Sequence, residues 1–396
     1  MPVPPAPPYP LPATVLSGAR LVLPDRVVPR GWVRIAGDRI AAMGEGDPPR
    51  ELAAAHRPLD GATLLPGFVD LHCHGGGGAA FADGPEAARA AAAFHRAHGT
   101  TTLIASLVTG PAETMAAAAA MLAALPADIG IAGVHLEGPF LSRARCGAQD
   151  PRYLRAPDRG LLADLLTAGA GAVRAVTLAP ELGGAFDLIA DLRGAGLIAA
   201  VGHTDADFDT ARGAIDAGAR LATHLFNGMA PVAHRAPGAA LAALLDDRVV
   251  VELINDGAHL HPAVVQTALR TAGPDRAALV TDAMAAAGMP DGGYRLGTQD
   301  VVVRAGSAWL ADGSSLAGST LTMDAAVRRT AALGVGLRAA AHAAATVPAR
   351  LLGMADSTGA LRPGLRADIA VAGPDLRVRA VIAGGRPVHD PEGLLA

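Results

Sequence analysis

Eight short apolar runs alternate with alanine-rich amphipathic stretches through the middle of the chain. They fall at 64–72, 102–108, 130–136, 173–179, 197–203, 220–226, 249–255 and 277–282. Runs this short and apolar suit strands buried on both faces. Parallel strands of that kind need crossover connections of a dozen or more residues, usually helical. The intervening stretches supply them. A helix is predicted over 86–98, stopped by Gly99, and another over 112–125. A third is predicted over 205–217, where Thr204 and Asp207 stand at capping-box spacing. Eight such units specify an α/β fold, a (β/α)8 barrel of the TIM type rather than an open sheet.

The two ends read differently. Residues 13–60 hold the β-type pieces VLSGARLVL and WVRIAGDRIAAMG, and residues 357–396 hold ADIAVAG and LRVRAVIAGGRPV. These pieces are expected to pair into one small β-sandwich domain, with the barrel, residues 61–356, inserted between them. Residues 1–12 read as a disordered proline-rich tail without the basic start or unbroken apolar stretch of a signal peptide. No run suits a membrane span, and two cysteines are too few for a disulfide framework. A cytoplasmic protein is therefore expected. The net charge of −4 gives no electrostatic footprint for nucleic acid. All 33 basic residues are arginine. The lack of lysine excludes a Schiff-base nucleophile, a Walker-type phosphate lysine and a carboxylated-lysine metal bridge.

Candidate ligands recur where the apolar runs end. His72 and His74 close the first run as HCH, and Glu137 follows the third in HLEGP. His203 ends the fifth, His224 lies in the sixth, His261 follows the seventh, and Asp282 ends the eighth. In a barrel the carboxyl ends of the strands converge on one mouth, which gathers this scatter into one polar pocket. His-X-His on a strand puts both imidazoles on one face. Imidazole and carboxylate suit Zn²⁺ or Fe²⁺, and Glu137, His203 and His224 would leave a position open for water or substrate. Asp282 would then move the proton. Singly, each residue is as well explained as a cap or a solvated side chain. Their recurrence at independent strand ends points to a metal-dependent hydrolase. His56, His95, His98, His234 and His342 read as ordinary residues, and Gly75–Gly78 as a turn.

The strings LPGFVDLHCHGGGG, GVHLEGPFLS, VGHTDAD, THLFNGMAP, ELINDGAHLHP, LVTDAMAAAG and LAGSTLTM occur in this order. With them the chain resembles the N-acetylglucosamine-6-phosphate deacetylases of the amidohydrolase superfamily. The resemblance implies a barrel with a small β-sandwich from both termini. It implies that Glu137, His203 and His224 hold the main catalytic metal, with Asp282 as general base and then acid, and His261 orienting the substrate carbonyl. His72 and His74 would form a second site, giving one or two divalent ions per subunit, zinc first, with iron or manganese as alternatives. Asn227, the Gly228 backbone and Gln149 match substrate-contacting positions. Arg235 matches an arginine that reaches the neighbouring subunit's site, implying a homodimer. The implied reaction releases acetate from N-acetyl-D-glucosamine 6-phosphate, in amino-sugar catabolism or cell-wall recycling. The 6-phosphorylated galactosamine epimer or another N-acyl amide is the alternative substrate.

Overall fold

Eight parallel strands, each bonded to the next in chain order, make the central sheet of the computed structural model, which describes residues 13–396. The expected tail at 1–12 lies outside the described residues. The strands are β1 (Phe68–Cys73), β2 (Thr100–Val108), β3 (Ile131–Glu137), β4 (Val173–Leu178), β5 (Ile198–Val201), β6 (Leu221–Ala222), β7 (Val250–Leu253) and β8 (Ala277–Leu279). Closure comes at the end of β1 and just past β8, where Cys73 and Ala283 form a parallel bridge. There the Asp282 N–H donates to the His72 carbonyl and the His74 N–H to the Ala283 carbonyl, each at 2.8 Å. The result is the barrel expected from the alternation.

The crossovers are α1 (Pro85–Ala97), α2 (Ala112–Ala123), α3 (Arg159–Ala168), α4 (Ala185–Gly194), α5 (Phe208–Ala217), α6 (Gly238–Leu245) and α7 (Pro262–Ala272). Helix α4 shows why they pack: Ala185, Leu188, Ile189 and Leu192 recur at helical spacing and are all buried. Each large aliphatic side chain so buried contributes about 1.5–3 kcal/mol. Helix α5 begins later than the capping-box spacing suggests. Asp207, not Thr204, is its N-cap and accepts the Thr210 N–H at 2.8 Å. The Thr204 hydroxyl instead donates to Glu181.

Several strands are shorter than the apolar runs. The run at 220–226 pairs only over Leu221–Ala222, and that at 277–282 only over Ala277–Leu279. The backbone explains part of this. His203, His224 and Asp282 have φ of +46°, +29° and +47°, which no extended strand accommodates.

The first run divides at Gly67. Residues Thr63–Pro66 leave the barrel and join the strands from the two termini. Those strands form one continuous sheet in the order Arg386–His389, Val378–Ala383, Ile369–Ala372, Thr63–Pro66, Thr14–Val22, Val27–Ala36, Arg39–Glu45, with His56–Pro58 beside Thr14–Val22. Leu16, Val33, Ile40, Leu64, Ile369 and Ile382 share its core. The chain divides into two compact units: residues up to 70 with 95–102 and 323–396, and residues 71–94 with 103–322. Every residue of the site described below belongs to the second. That unit also carries an antiparallel sheet not evident in the sequence, Gly292–Leu296, Gln299–Arg304 and Ser307–Leu310, closed over Met284, Val301 and Leu310. Among the described residues no helix is long and apolar enough to cross a membrane.

Candidate metal centre

Two groups of buried donors meet at the carboxyl ends of the strands. In the first, Glu137 Oε1 lies 3.0 Å from both His203 Nε2 and His224 Nε2, which are 3.1 Å apart. In the second, His72 Nε2 and His74 Nε2 are 3.1 Å apart, and Asp282 Oδ1 lies 3.5 and 3.2 Å from them. Glu137 joins the two, because its other oxygen, Oε2, is 3.3 Å from His74 Nε2. Tetrahedral zinc with ligands at about 2.0–2.1 Å requires donors roughly 3.3 Å apart. Both groups have that spacing, so the residues present fit divalent ions.

The electrostatics point the same way. Burial would lower the His72 imidazole, yet the charges of Asp282, Glu137 and Glu252 hold it well above its ordinary value. Burial likewise opposes protonation of His74, but hydrogen bonds with Asp282 and Glu137 raise it to about 9. Glu137, despite burial, is held well below the usual carboxylate range by His72 and by hydrogen bonds from His203 and His224. Asp282 is held at about 2, against its burial, by the same His72 charge and by His74. Around His72 and His74 the centre is thus a pocket of negative potential that draws protons onto these two imidazoles, and a divalent ion would replace them.

Three of the four imidazoles are aimed by a neighbour at Nδ1, whereas His224 Nδ1 is buried without a hydrogen-bond partner among the described residues. The His74 Nδ1–H donates to the Ser106 carbonyl at 3.1 Å, and the His203 Nδ1–H to the Arg145 carbonyl at 2.9 Å. His72 Nδ1 faces the Glu252 carboxylate at 3.1 Å. Such partners fix the ring tautomer and leave Nε2 for a metal. Three site residues also sit on positive-φ backbone, which costs on the order of 1–3 kcal/mol each where the surroundings enforce it. Hydrogen bonds do the enforcing: Ser142 N–H to the His203 carbonyl, Ser319 N–H to the Asp282 carbonyl, and His224 N–H to Glu252.

Most of the residues expected at the site line one cavity: His74, Glu137, Gln149, His203, His224, Asn227, Gly228 and Asp282. His72 lies directly beneath, fully buried. Gln149 is tied up within the protein, since its Nε2 donates to Glu137 Oε2 at 2.7 Å and its Oε1 accepts the Thr109 N–H. It therefore acts first on the shared carboxylate. Arg235 is exposed at the tip of a tight hairpin pinned by mutual Ala233–Ala236 hydrogen bonds, outside its own chain's cavity.

His261 requires correction. It is exposed and caps α7, its Nδ1 accepting the Ala263 N–H at 3.2 Å. The histidine in the cavity is His259, two residues earlier, whose Nδ1–H donates to Asp256 at 2.7 Å. Burial opposes protonation of His259, and the Asp256 carboxylate raises it. Pro262 carried the missed signal: proline favours the first turn of a helix, which puts the preceding residue at the cap.

His135 and Glu252 also escaped the sequence reading. His135 lies two residues before Glu137, hence on the same strand face. It is buried between the Ser106 and Thr177 hydroxyls at 3.0 and 2.7 Å. Burial and the neighbouring His72 hold it well below its ordinary pKa, so it stays neutral. Glu252 is a lone acid within the apolar run VVEL, which was a readable sign.

A constellation of imidazoles and carboxylates at the mouth of a closed parallel barrel defines a metal-dependent hydrolase of the amidohydrolase type. Residues 63–388 match the amidohydrolase family, and the chain belongs to it. Among its relatives is an N-acetylglucosamine-6-phosphate deacetylase of Bos taurus, 37% identical, with 87% of each chain covered. Another is an N-acetylgalactosamine-6-phosphate deacetylase of Escherichia coli O157:H7, 36% identical over 93% of this chain and 97% of that one. Among solved structures, an Asp-to-Ala variant of the N-acetyl-D-glucosamine-6-phosphate deacetylase of Mycobacterium smegmatis, in complex with N-acetyl-D-glucosamine-6-phosphate, superposes with a TM-score of 0.92. It is 46% identical, over 95% of this chain and 99% of that one.

Proposed function

We propose that this chain hydrolyses the acetamide of N-acetyl-D-glucosamine 6-phosphate, releasing acetate and D-glucosamine 6-phosphate. The observation that carries the reading is the Glu137–His203–His224 group opening, beside Asp282, into a cavity bordered by Asn227 and Gly228. When bound there, a divalent ion, zinc first among the candidates, polarises the amide carbonyl and acidifies water. Asp282, ionised at neutral pH, takes the proton from the attacking water. The water oxygen bonds to the acyl carbon, the C–N bond breaks, and Asp282 passes the proton to the departing nitrogen. His259, braced by Asp256, donates to the carbonyl oxygen as negative charge develops on it. Asn227 and the Gly228 backbone hold the sugar phosphate.

No arginine or lysine is among the described residues lining the cavity. A phosphate dianion therefore needs a cation from elsewhere, and Arg235 of a second copy is the candidate, which makes the working unit a homodimer in the cytoplasm. The His72–His74–Asp282 group holds a second ion.

The galactosamine epimer is the competing substrate, favoured by the E. coli relative. Acetate release measured on both 6-phosphates and on unphosphorylated N-acetylglucosamine, with metal stripped and restored, separates the readings. Metal-dependent turnover of the glucosamine 6-phosphate above the others is expected. Equal turnover of the unphosphorylated sugar would sink the phosphate assignment.

A further inference from the structure

Glu252 belongs to neither donor group, yet it touches a ligand of each. It lies fully buried on β7. A single oxygen, Oε2, stands 3.1 Å from His72 Nδ1 and accepts the His224 backbone N–H at 3.0 Å. Its other oxygen, Oε1, is buried without a hydrogen-bond partner. A carboxylate in this position carries a large desolvation penalty unless charge nearby compensates it. The remaining acids of the centre, Glu137 and Asp282, only add to the negative charge.

We infer that Glu252 is a positioning residue that couples the two metal groups and makes the second ion bind. On the His72 side it accepts the Nδ1–H, which fixes the tautomer whose Nε2 lone pair faces His74 and Asp282. On the His224 side it holds the amide of a residue whose φ is +29°, so that Nε2 arrives 3.0 Å from Glu137. The ring partners of His74 and His203 are neutral backbone carbonyls, each serving one ligand. Glu252 alone brings charge and reaches across.

The charge count agrees. With neutral imidazoles, Glu137, Asp282 and Glu252 offset three of the four positive charges of two divalent ions. Without Glu252 two charges remain uncompensated in a buried site, and the second ion bears that penalty. The inference rests on the two-ion reading of the centre.

The test uses the full chain, metal-stripped and titrated with Zn²⁺ against a chromophoric chelator, with ion number read by native mass spectrometry. Wild type is expected to take two ions. Glu252→Gln keeps an acceptor oxygen and the side-chain volume but loses the charge. It should raise the weaker dissociation constant about 10–100-fold, leave the tighter one unchanged, and leave the melting temperature of the metal-stripped protein no lower. Glu252→Ala, which also abandons the His224 amide, should weaken both. A purely structural role would lower the melting temperature and leave the weaker constant in place. Constants for Glu252→Gln matching wild type overturn the inference, whether or not Glu252→Ala folds. Wild type that takes a single ion overturns the two-ion reading itself, a failure visible before any variant is compared.

Discussion

Gly228 is the position where one added methyl group most directly tests the metal centre. Its φ is +59°, and a Cβ there would lie 2.9 Å from His203 Nδ1 and 3.2 Å from Cε1. Gly228→Ala therefore does two separable things. It places alanine in the left-handed region, costing about 1–2 kcal/mol. For a chain of this length that lowers the melting temperature by about 1–3 °C. It also pushes on His203, a proposed metal ligand that cannot easily retreat, because its Nδ1 donates to the Arg145 carbonyl at 2.9 Å and its Nε2 faces Glu137 at 3.0 Å. A ring displaced by tenths of an ångström should lose on the order of 10–100-fold in metal affinity, or about 1.4–2.8 kcal/mol.

Gly171→Ala is the control, since φ there is +80° and nothing lies within 4 Å of the added Cβ. Both variants should melt lower by similar amounts. Only Gly228→Ala should weaken the tighter Zn²⁺ constant in a chelator competition on metal-stripped protein. Equal affinity in the two variants would refute the contact with His203 as the determinant of ligand placement.

Further outcomes follow from the same geometry. Asp282→Asn should keep an ion at the Glu137 group while turnover drops about 10²–10⁴-fold; a variant that stays active would remove the aspartate from proton transfer. The metal-stripped protein should lose stability as pH rises. The folded pKa of His74, about 9, exceeds an unfolded value of ~6.5, so its contribution is complete below the latter and lost on passing through the former. Thermal melts at pH 6.5 and pH 9 check this, and a metal-stripped protein more stable at the higher pH would contradict it. His259→Ala should cut kcat. His261→Ala should leave kcat intact and cost roughly 0.5–1 kcal/mol of helix cap; steady-state kinetics showing the reverse pattern would restore His261 to the site.

Much of this protein is legible in its sequence because the relevant signals are local. Short apolar runs alternating with amphipathic stretches specify strands and crossovers, and a closed parallel barrel sends every strand end to one mouth. The donors that meet at those ends, Glu137, His203 and Asp282 among them, are readable from the sequence. The Pro262 cap and the acid inside VVEL are also local signals.

Only the tertiary structure decided the rest, because it concerns distances between residues far apart in the chain. No spacing reveals that Glu137 presents one oxygen to each donor group, or that Gln149 occupies that carboxylate rather than standing free for substrate. The positive-φ turns at His203, His224 and Asp282 are enforced by bonds from other strands and loops, so strand length could not be read from apolarity alone. The terminal strands had the composition to pair, but the order in which they lie, and the transfer of Thr63–Pro66 to their sheet, depend on backbone partners from the opposite end of the chain. Sequence determined which side chains reach the barrel mouth; packing across it determined which of them touch.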